Sequence, residues 1–417
     1  MRIIFNYPSV NIGGAQLLFA RICQFFFEKN INVAIISDGE CFLSKFLVQS
    51  EVKCEFIDAS SNNVLGKDDV LVLSLAQVYM YEKVIQLGAE TRVVFWDLYP
   101  YNLIQWMSLF PIYKRNPDSK IAKLAKLLEL KRIDKIRNFC STAQSHKALY
   151  FMCKKNFKTN ADFYDLVFEP TYMPIPIDNS HSLRHLSAKP ERVDTKEVNI
   201  GWISRLDSDK VRILLVLIDD LEEYKKGAGD DCQIKLHVIG DGPASSLITR
   251  SESIQILCKG RVDGSELDEY LNKNIDIGFS MGTSAFEFAN RGIPSILVPN
   301  SASTRQVLSQ NRKYLWLFDV EGFDVAAEEY YQEKTLNVET ILSEFKRKPV
   351  QLSEYCRQHA QSNHSLQGVC DRLLGLISDS NLTGSDMLQL KLNEITLFDR
   401  FLLFLKHMLK RMLAKKL

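Results

Sequence analysis

Short apolar runs alternate with longer amphipathic segments along the first half of the chain. The runs are rich in Val and Ile, as buried strands are. They predict strands at Arg2–Asn6, Asn32–Ser37, Lys53–Ile57, Val70–Ser74, Arg92–Trp96 and Ile136–Ser141. Apolar positions at helical spacing predict helices over Gly14–Lys29 and Ala143–Lys155. This alternation indicates βαβ units around a parallel sheet.

A proline-rich segment, Glu169–Asp178, interrupts the alternation and predicts a linker, because proline continues neither helices nor central strands. The pattern then restarts with strands predicted at Val198–Ser204, Gln233–Ile239, Ile254–Cys258, Asp276–Ser280 and Pro294–Val298. We therefore expect an α/β protein with two doubly wound domains, residues 1–175 and 176–376. Their ligand is expected in the cleft between them. Residues 377–417 fit neither domain and predict a helical tail.

Composition narrows the class of protein. The 417 residues are 46% hydrophobic and 25% charged, which are ordinary globular values. The formal net charge is only +1, whereas nucleic-acid-binding proteins are usually basic overall. We therefore expect no nucleic-acid partner.

Cysteine usage and the absence of long apolar runs bear on location. The nine cysteines include no C-x-x-C pair and lie mostly in apolar runs, such as Ile256–Cys258, which predicts reduced core residues. No Cys/His cluster has the spacing of zinc ligands, so no metal is expected. The first apolar run is too short for a signal peptide, and no run is long enough to span a bilayer. The expected location is the cytoplasm, with a peripheral position on the inner face of the plasma membrane.

Two glycine motifs follow predicted strands. Asn11–Gln16 contains Gly13 and Gly14 before a helix, where backbone N–H groups can face an anion. Ile239–Pro243 reads Ile-Gly-Asp-Gly-Pro and permits a tight turn at Gly240. Either motif is also compatible with turn formation alone.

Two further motifs carry charged and hydroxyl groups. Ser204–Lys210 places Arg205 and Lys210 between a strand and a helix, where they can bind phosphate oxygens or form exposed ion pairs. Ser280–Pro294 contains a Gly282-Thr283-Ser284 turn, in which Thr283 or Ser284 can cap the next helix. Glu287 is expected in the first turn of that helix, either reaching a ligand hydroxyl or only complementing the helix dipole.

Together these motifs resemble the GT-B fold glycosyltransferases, most closely family 4, over about residues 1–375. The specific part is the R-L-x-x-x-K of Arg205–Lys210, followed by the E-x-A-x-x-G-x-P of Glu287–Pro294. The resemblance implies sugar transfer from a nucleotide-sugar donor without a bound metal or other cofactor. Arg205 and Lys210 would neutralise the donor diphosphate, and Glu287 would bind the ribose. Gly13, Gly14, Gly240, Gly282, Thr283 and Ser284 would contact the donor.

Two positions depart from the family pattern. The first of two glutamates that the family spaces eight residues apart is Phe279 here, which leaves the donor sugar and the retaining course open. The family's histidine after the fourth-strand region is also missing. Asp97 stands there instead, as a general base, an acceptor ligand or a strand-end cap.

Two basic amphipathic segments suggest an anionic membrane surface as a partner. Lys114–Arg137 contains nine Lys or Arg and three acidic residues. Its apolar stripe can instead pack on the sheet, as in an ordinary α/β helix. In the second segment, Phe398–Leu417, apolar and basic residues occupy opposite helical faces. This tail can dock on a membrane, pack on the first domain or mediate oligomerisation.

These features predict a lipid-linked or saccharide acceptor in bacterial-type surface polysaccharide synthesis. Two other functions remain open from the sequence. One is a sugar-nucleotide epimerase or hydrolase, for which no convincing set of carboxylates and histidines is present. The other is a catalytically silent homologue that serves as a binding or scaffold subunit. The missing glutamate and histidine favour that alternative, whereas the diphosphate-binding cations oppose it.

Overall fold

A computed structural model of the chain describes residues 1–7, 14–37, 41–58, 64–79, 86–107, 109–115, 119–177, 197–227, 232–249, 251–262, 264–300 and 313–392. These residues form two compact units. Of the described residues, the first unit holds those up to Pro174 and those from Val369, and the second unit holds those from Ile175 to Gly368. Gly13, Asp178 and the tail from Phe398 lie outside the described residues.

The first unit is built on a parallel sheet of seven strands in the order β3-β2-β1-β5-β7-β8-β9, with a two-stranded β4-β6 sheet beside it. The strands are β1 Arg2–Asn6, β2 Val33–Ser37, β3 Glu55–Asp58, β4 Val64–Leu65, β5 Asp69–Ser74, β6 Gln86–Leu87, β7 Arg92–Asp97, β8 Leu149–Phe151 and β9 Thr171–Tyr172. Strand order reverses between β1 and β5, as in doubly wound folds.

Six helices belong to this part of the first unit: α1 Gly14–Glu28, α2 Phe42–Gln49, α3 Phe110–Arg115, α4 Lys120–Leu128, α5 Leu130–Ser145 and α6 Lys154–Tyr164. Two predictions are wrong here. Ile136–Ser141 belongs to α5 rather than to a strand, because Ile133, Ile136, Cys140 and Ala143 form one buried helical face. The strand lies instead at β8, inside the predicted helix Ala143–Lys155, where three successive residues are buried.

The second unit contains a six-stranded sheet in the order β12-β11-β10-β13-β14-β15, in which only β15 is antiparallel. Its strands are β10 Glu197–Ile203, β11 Gln233–Ile239, β12 Gln255–Gly260, β13 Ile277–Ser280, β14 Ser295–Leu297 and β15 Leu315–Trp316. Its helices are α7 Ser208–Gly227, α8 Gly264–Asn274, α9 Thr283–Ala289, α10 Val338–Arg347 and α11 Pro349–His364. Both sheets have the doubly wound α/β form that the sequence predicts.

The last two described helices are α12 Leu366–Asp379, which begins within the last residues of the second unit, and α13 Gly384–Gln389. Backbone hydrogen bonds join this segment to the first unit, including Val93 N to Leu382 O and Gly384 N to Thr91 O. Arg92 also donates to the carbonyls of Ile377 and Ser380. The structure thus assigns the described residues from Val369 to the first unit. The sequence-based division differs, because it continues the second domain to residue 376 and sets 377–417 apart.

The sequence predicts reduced core cysteines and no membrane-spanning segment. Seven of the nine cysteines are buried and all are free thiols, but Cys258 is exposed although it follows Ile256 and Leu257. Within the described residues, no helix combines the length and apolar character needed to cross a membrane.

Two glycines in the second sheet allow α9 to pack closely on it. A Cβ on Gly278 would lie 2.2 Å from Phe288 Cδ2, and one on Gly201 would lie 2.7 Å from Phe288 Cε1. Phe288 is fully buried beside Leu271 of α8 and Ile275, which directly follows that helix. The two glycines therefore set the depth at which α9 lies on the strands.

We expect Gly278→Ala to lower the thermal unfolding midpoint of the second unit, because overpacking costs about 1–3 kcal/mol. Gly375→Ala is the matched control, since a Cβ in that part of α12 meets no atom within 4 Å. It should stabilise its helix by roughly 0.5–1 kcal/mol. Circular dichroism melting of both variants gives the comparison, and equal midpoints would contradict the packing account.

Candidate functional site

Three loops of the second unit leave neighbouring strands at the same edge of the sheet. Ser204–Asp207, here called the Arg205 loop, follows β10, Gly240–Pro243 follows β11, and Met281–Gly282 follows β13. Because β10, β11 and β13 are parallel and adjacent, their carboxyl ends lie side by side. Strand order reverses between β10 and β13, which is where doubly wound sheets bind ligands.

The Arg205 loop packs directly on the backbone of the glycine turn after β11. Leu206 N donates to Asp241 O over 2.7 Å, and Ala244 N donates to Leu206 O over 2.9 Å. Gly240 has φ +138°, and a Cβ there would lie 1.9 Å from Ser204 O. The glycine turn therefore fixes the path of the Arg205 loop, which is a positioning role for Gly240.

Lys210 is the third residue of α7, and its side chain is 26% exposed. Its Nζ lies 3.0 Å from Met281 Sδ, so the side chain extends to the turn after β13. Burial is the main cause that lowers the pKa of Lys210 below its ordinary value of 10.5. Asp209 opposes that change and Arg205 adds to it.

Arg205 is far more open than Lys210. Its side chain is 74% exposed, and one guanidinium nitrogen lies 3.5 Å from Asp207 Oδ2. An exposed pair at this distance contributes little stability, so the guanidinium can exchange it for a stronger anion at small cost. Arg205 and Lys210 thus lie before and within the first turn of α7, a helix of 20 residues, with Asp207 and Asp209 as their acidic neighbours.

The turn before α9 differs from its prediction. Gly282 is the N-cap, with φ 67° and ψ −148°, and no side chain caps the helix, so capping by Thr283 or Ser284 is wrong. Thr283 and Ser284 are the first two residues of α9 instead. Glu287 is the fifth residue, and the first turn of α9 holds no acid. The reason is the positive φ, which glycine adopts more readily than Thr or Ser.

Glu287 is held by an arginine that the sequence analysis did not single out. Arg291 Nη1 lies 2.8 Å from Glu287 Oε2, and the same guanidinium pairs with Asp268 of α8 through Nε and Nη2. Arg291 and Asp268 are 11% and 17% exposed, whereas Glu287 is 32% exposed. The i,i+4 spacing of Glu287 and Arg291 is a sequence signal for this pair. No sequence pattern indicated Asp268, which lies on another helix.

Phe279 lies inside β13, is fully buried and meets Tyr314 edge-to-face at a centroid distance of 5.5 Å. The residue eight positions before Glu287 therefore belongs to the hydrophobic core. It lies within the strand, before the carboxyl-end turn that carries Gly282.

The first unit contains the remaining predicted site residues. Gly14 begins α1 and is exposed, and a Cβ there would meet no atom within 4 Å. Nothing in its described packing therefore requires glycine. Asn6 ends β1 at the carboxyl edge of the sheet and is 1% exposed. Within the described part of the chain, neither amide atom of Asn6 has a hydrogen-bond partner.

Asp97 ends β7 and is fully buried. Its two oxygens accept hydrogen bonds from the Asn102 and Asn160 side chains, each at 2.9 Å. Burial raises the pKa of Asp97 well above its usual range, and the hydrogen bonds oppose this. This geometry favours the strand-end cap among the roles left open by the sequence, since a base that receives a substrate proton must reach the substrate.

Comparison with known proteins identifies the fold. No protein-family model matches the chain, and no curated protein matches it. The crystal structure of HepE from Anabaena with UDP superposes with a TM-score of 0.54 at 13% identity, covering 91% of this chain and 100% of that one. A glycosyltransferase from Rickettsia africae gives 0.52 at 14% identity, with 91% and 98% covered. These similarities confirm the GT-B fold, while family 4 membership stays a prediction from the motifs.

Among the described residues, no group of three or more His, Cys, Asp or Glu side chains is arranged to hold a metal ion. Charged side chains near the carboxyl ends of β10 and β13 include Arg205 and Lys210, and Glu287 lies in the helix after β13. This arrangement can bind a phosphate-containing ligand through cations and a hydroxyl group through Glu287.

We expect Asp97→Ala to destabilise the first unit by about 2–4 kcal/mol, because buried amide donors lose their acceptor. Asp162→Ala is the control, since Asp162 is exposed and pairs with Lys158 within α6. It should change stability by less than about 0.5 kcal/mol. Denaturant unfolding measures both, and a stable Asp97→Ala protein would contradict a structural role.

Proposed function

We propose that the chain is a glycosyltransferase that takes a sugar from a nucleotide-sugar donor. The observation that carries the proposal is the pair Arg205 and Lys210 beside the start of α7, at the point where strand order reverses. Solved structures of the similar HepE hold UDP and UDP-glucose. A nucleoside diphosphate has the charge that these two cations can neutralise.

Transfer breaks the bond between the anomeric carbon of the sugar and the diphosphate. The leaving diphosphate keeps the electron pair, while an acceptor hydroxyl bonds to the sugar carbon and releases its proton. Negative charge therefore grows on the leaving group in the transition state. Arg205 and Lys210 stabilise that charge more strongly than they stabilise the bound donor, which is how fixed cations accelerate such a step.

Glu287 supplies the second recognition element. Its Oε2 is held by Arg291, and the side chain remains about one-third exposed. A carboxylate in a fixed orientation can accept hydrogen bonds from the two ribose hydroxyls. Arg291 and Asp268 act as positioning residues for this contact. Gly14, Gly282, Thr283 and Ser284 are proposed to contact the donor through their backbone, and no metal or other cofactor is required.

The proposal extends to the acceptor, the stereochemistry and the cellular location. The acceptor is a lipid-linked sugar or a saccharide in bacterial-type surface polysaccharide synthesis, and transfer retains the anomeric configuration. The enzyme works on the cytoplasmic side of the plasma membrane. The support for a lipid-linked acceptor is the pair of basic amphipathic segments, Lys114–Arg137 and Phe398–Leu417.

A panel of nucleotide sugars tests the proposal, with release of nucleoside diphosphate measured in the presence and absence of a lipid-linked acceptor. Arg205→Ala should lower turnover by about 10²–10³-fold, because transition-state charge loses one of its cations. Arg212→Ala is the matched control, since Arg212 lies on the exposed side of α7 and should leave turnover unchanged. No binding of any donor would exclude the enzyme and favour the scaffold subunit.

The lowered pKa of Lys210 predicts the pH above which donor binding weakens, here called the alkaline limit. Only the protonated amine attracts the diphosphate, and burial lowers the pKa of Lys210, so affinity should fall at a lower pH than for an ordinary lysine. Lys210→Arg should extend binding to higher pH, because a guanidinium stays protonated. Titration calorimetry of nucleoside diphosphate across the alkaline range compares this variant with Lys226→Arg at the other end of α7. Identical alkaline limits in the two variants would show that Lys210 does not bind the diphosphate.

A further inference from the structure

Helix α4 presents a continuous row of large apolar side chains to solvent. Ile121, Leu124, Leu127 and Leu128, together with Leu130 at the start of α5, are 47–66% exposed. This set is here called the α4 stripe. Soluble proteins expose single apolar residues commonly, but a contiguous group of five marks an interaction surface.

The opposite face of α4 explains why the stripe points outward. Ala122 and Ala125 are its buried residues, and small side chains let the helix lie close to the unit. Lys126 Nζ donates to Phe163 O over 2.8 Å, and Ser119 caps the helix through Ala122 N. The large apolar residues therefore face solvent. The alternative prediction, that this apolar stripe packs on the sheet, is wrong for these residues.

Exposed cations flank the stripe. Lys120, Lys123 and Lys131 are exposed within or directly after α4. Two acids lie among the described residues of the same stretch: Glu129 is buried and accepts from Tyr113 Oη at 2.8 Å, and Asp134 pairs with Arg137 at 2.7 Å. The surface therefore combines an apolar row with uncompensated positive charge.

We infer that the α4 stripe inserts into the interface of an anionic lipid bilayer. Its apolar side chains would enter the boundary between headgroups and acyl chains, while Lys120, Lys123 and Lys131 contact lipid phosphates. Apolar insertion and cation–phosphate attraction together give stable peripheral binding where either alone is weak. This surface lies in the first unit, and its lipid binding does not depend on the proposed transfer reaction.

Charge argues against the chain's own C-terminal segment as the occupant. Lys135 of α5 donates to Lys391 O over 3.3 Å, so the described chain ends beside α5, whose first residue, Leu130, belongs to the stripe. The sequence from Phe398 to Leu417 carries six Lys or Arg and one Asp. Covering the stripe with this segment would bring like charges together, whereas an anionic bilayer attracts both.

Vesicle flotation of the full chain tests the inference, without any nucleotide sugar present. Wild-type protein should float with vesicles containing phosphatidylglycerol and not with neutral phosphatidylcholine vesicles, and high salt should weaken binding. The double variant Ile121→Ser with Leu124→Ser should lower the partition coefficient by at least about tenfold. Lys120→Gln with Lys123→Gln should lower it about fivefold for each lysine.

The controls are exposed residues of the same unit outside the stripe. Val48→Ser with Val167→Ser matches the apolar double variant, and Lys53→Gln with Lys67→Gln matches the charge variant. Both controls should float like wild type, and melting curves verify that every variant is folded.

Flotation of the folded Ile121/Leu124 variant at wild-type level would overturn the inference. So would equal binding to neutral vesicles. If the wild-type protein does not float and a Leu124→Cys variant is protected from maleimide labelling, another part of this chain or a second copy covers the stripe. That result would also overturn the inference. In each case the nucleotide-sugar assay remains an independent test of the proposed function.

Discussion

The close contact between two backbone segments of the second unit is the constraint on which the candidate site depends. The Arg205 loop and the glycine turn after β11 exchange hydrogen bonds at 2.7 and 2.9 Å. A side chain at Gly240 would overlap Ser204 O, so this packing requires glycine. The direction in which the chain enters α7, and with it the positions of Arg205 and Lys210, follows from that contact.

Arg205 and Lys210 differ in how far they are exposed to water before an anion binds. Lys210 is largely withdrawn from water, and burial lowers its pKa, so its charge is costly until an anion arrives. Arg205 remains exposed and loosely paired with Asp207. Glu287 is oriented by Arg291, which Asp268 holds in turn. A partly desolvated cation and a fixed carboxylate bind a ligand with less reorganisation than free side chains do.

The hydrophobic pattern predicted both parallel sheets, because buried parallel strands are continuous apolar runs that need no tertiary information to recognise. It failed between residues 136 and 155, where clustered apolar residues fit either a strand or a helix. The motifs also located Arg205 in the loop after β10, and Lys210 and Glu287 in the helices that follow β10 and β13. They could not predict that Asp97 is buried or that Asp268 supports Arg291, since each depends on residues distant in sequence.

The doubly wound α/β class and the order of the glycine and cation motifs could be recognised without coordinates, because both depend on local periodicity and turn chemistry. The sequence also determined that Lys114–Arg137 is basic and amphipathic. Which face of that amphipathic segment is buried follows instead from the packing of the folded unit. Ala122 and Ala125 pack inward and leave the α4 stripe in solvent, because the small face of α4 fits closely against its unit. A helical pattern specifies two faces, but the surface available for packing selects the one that is buried.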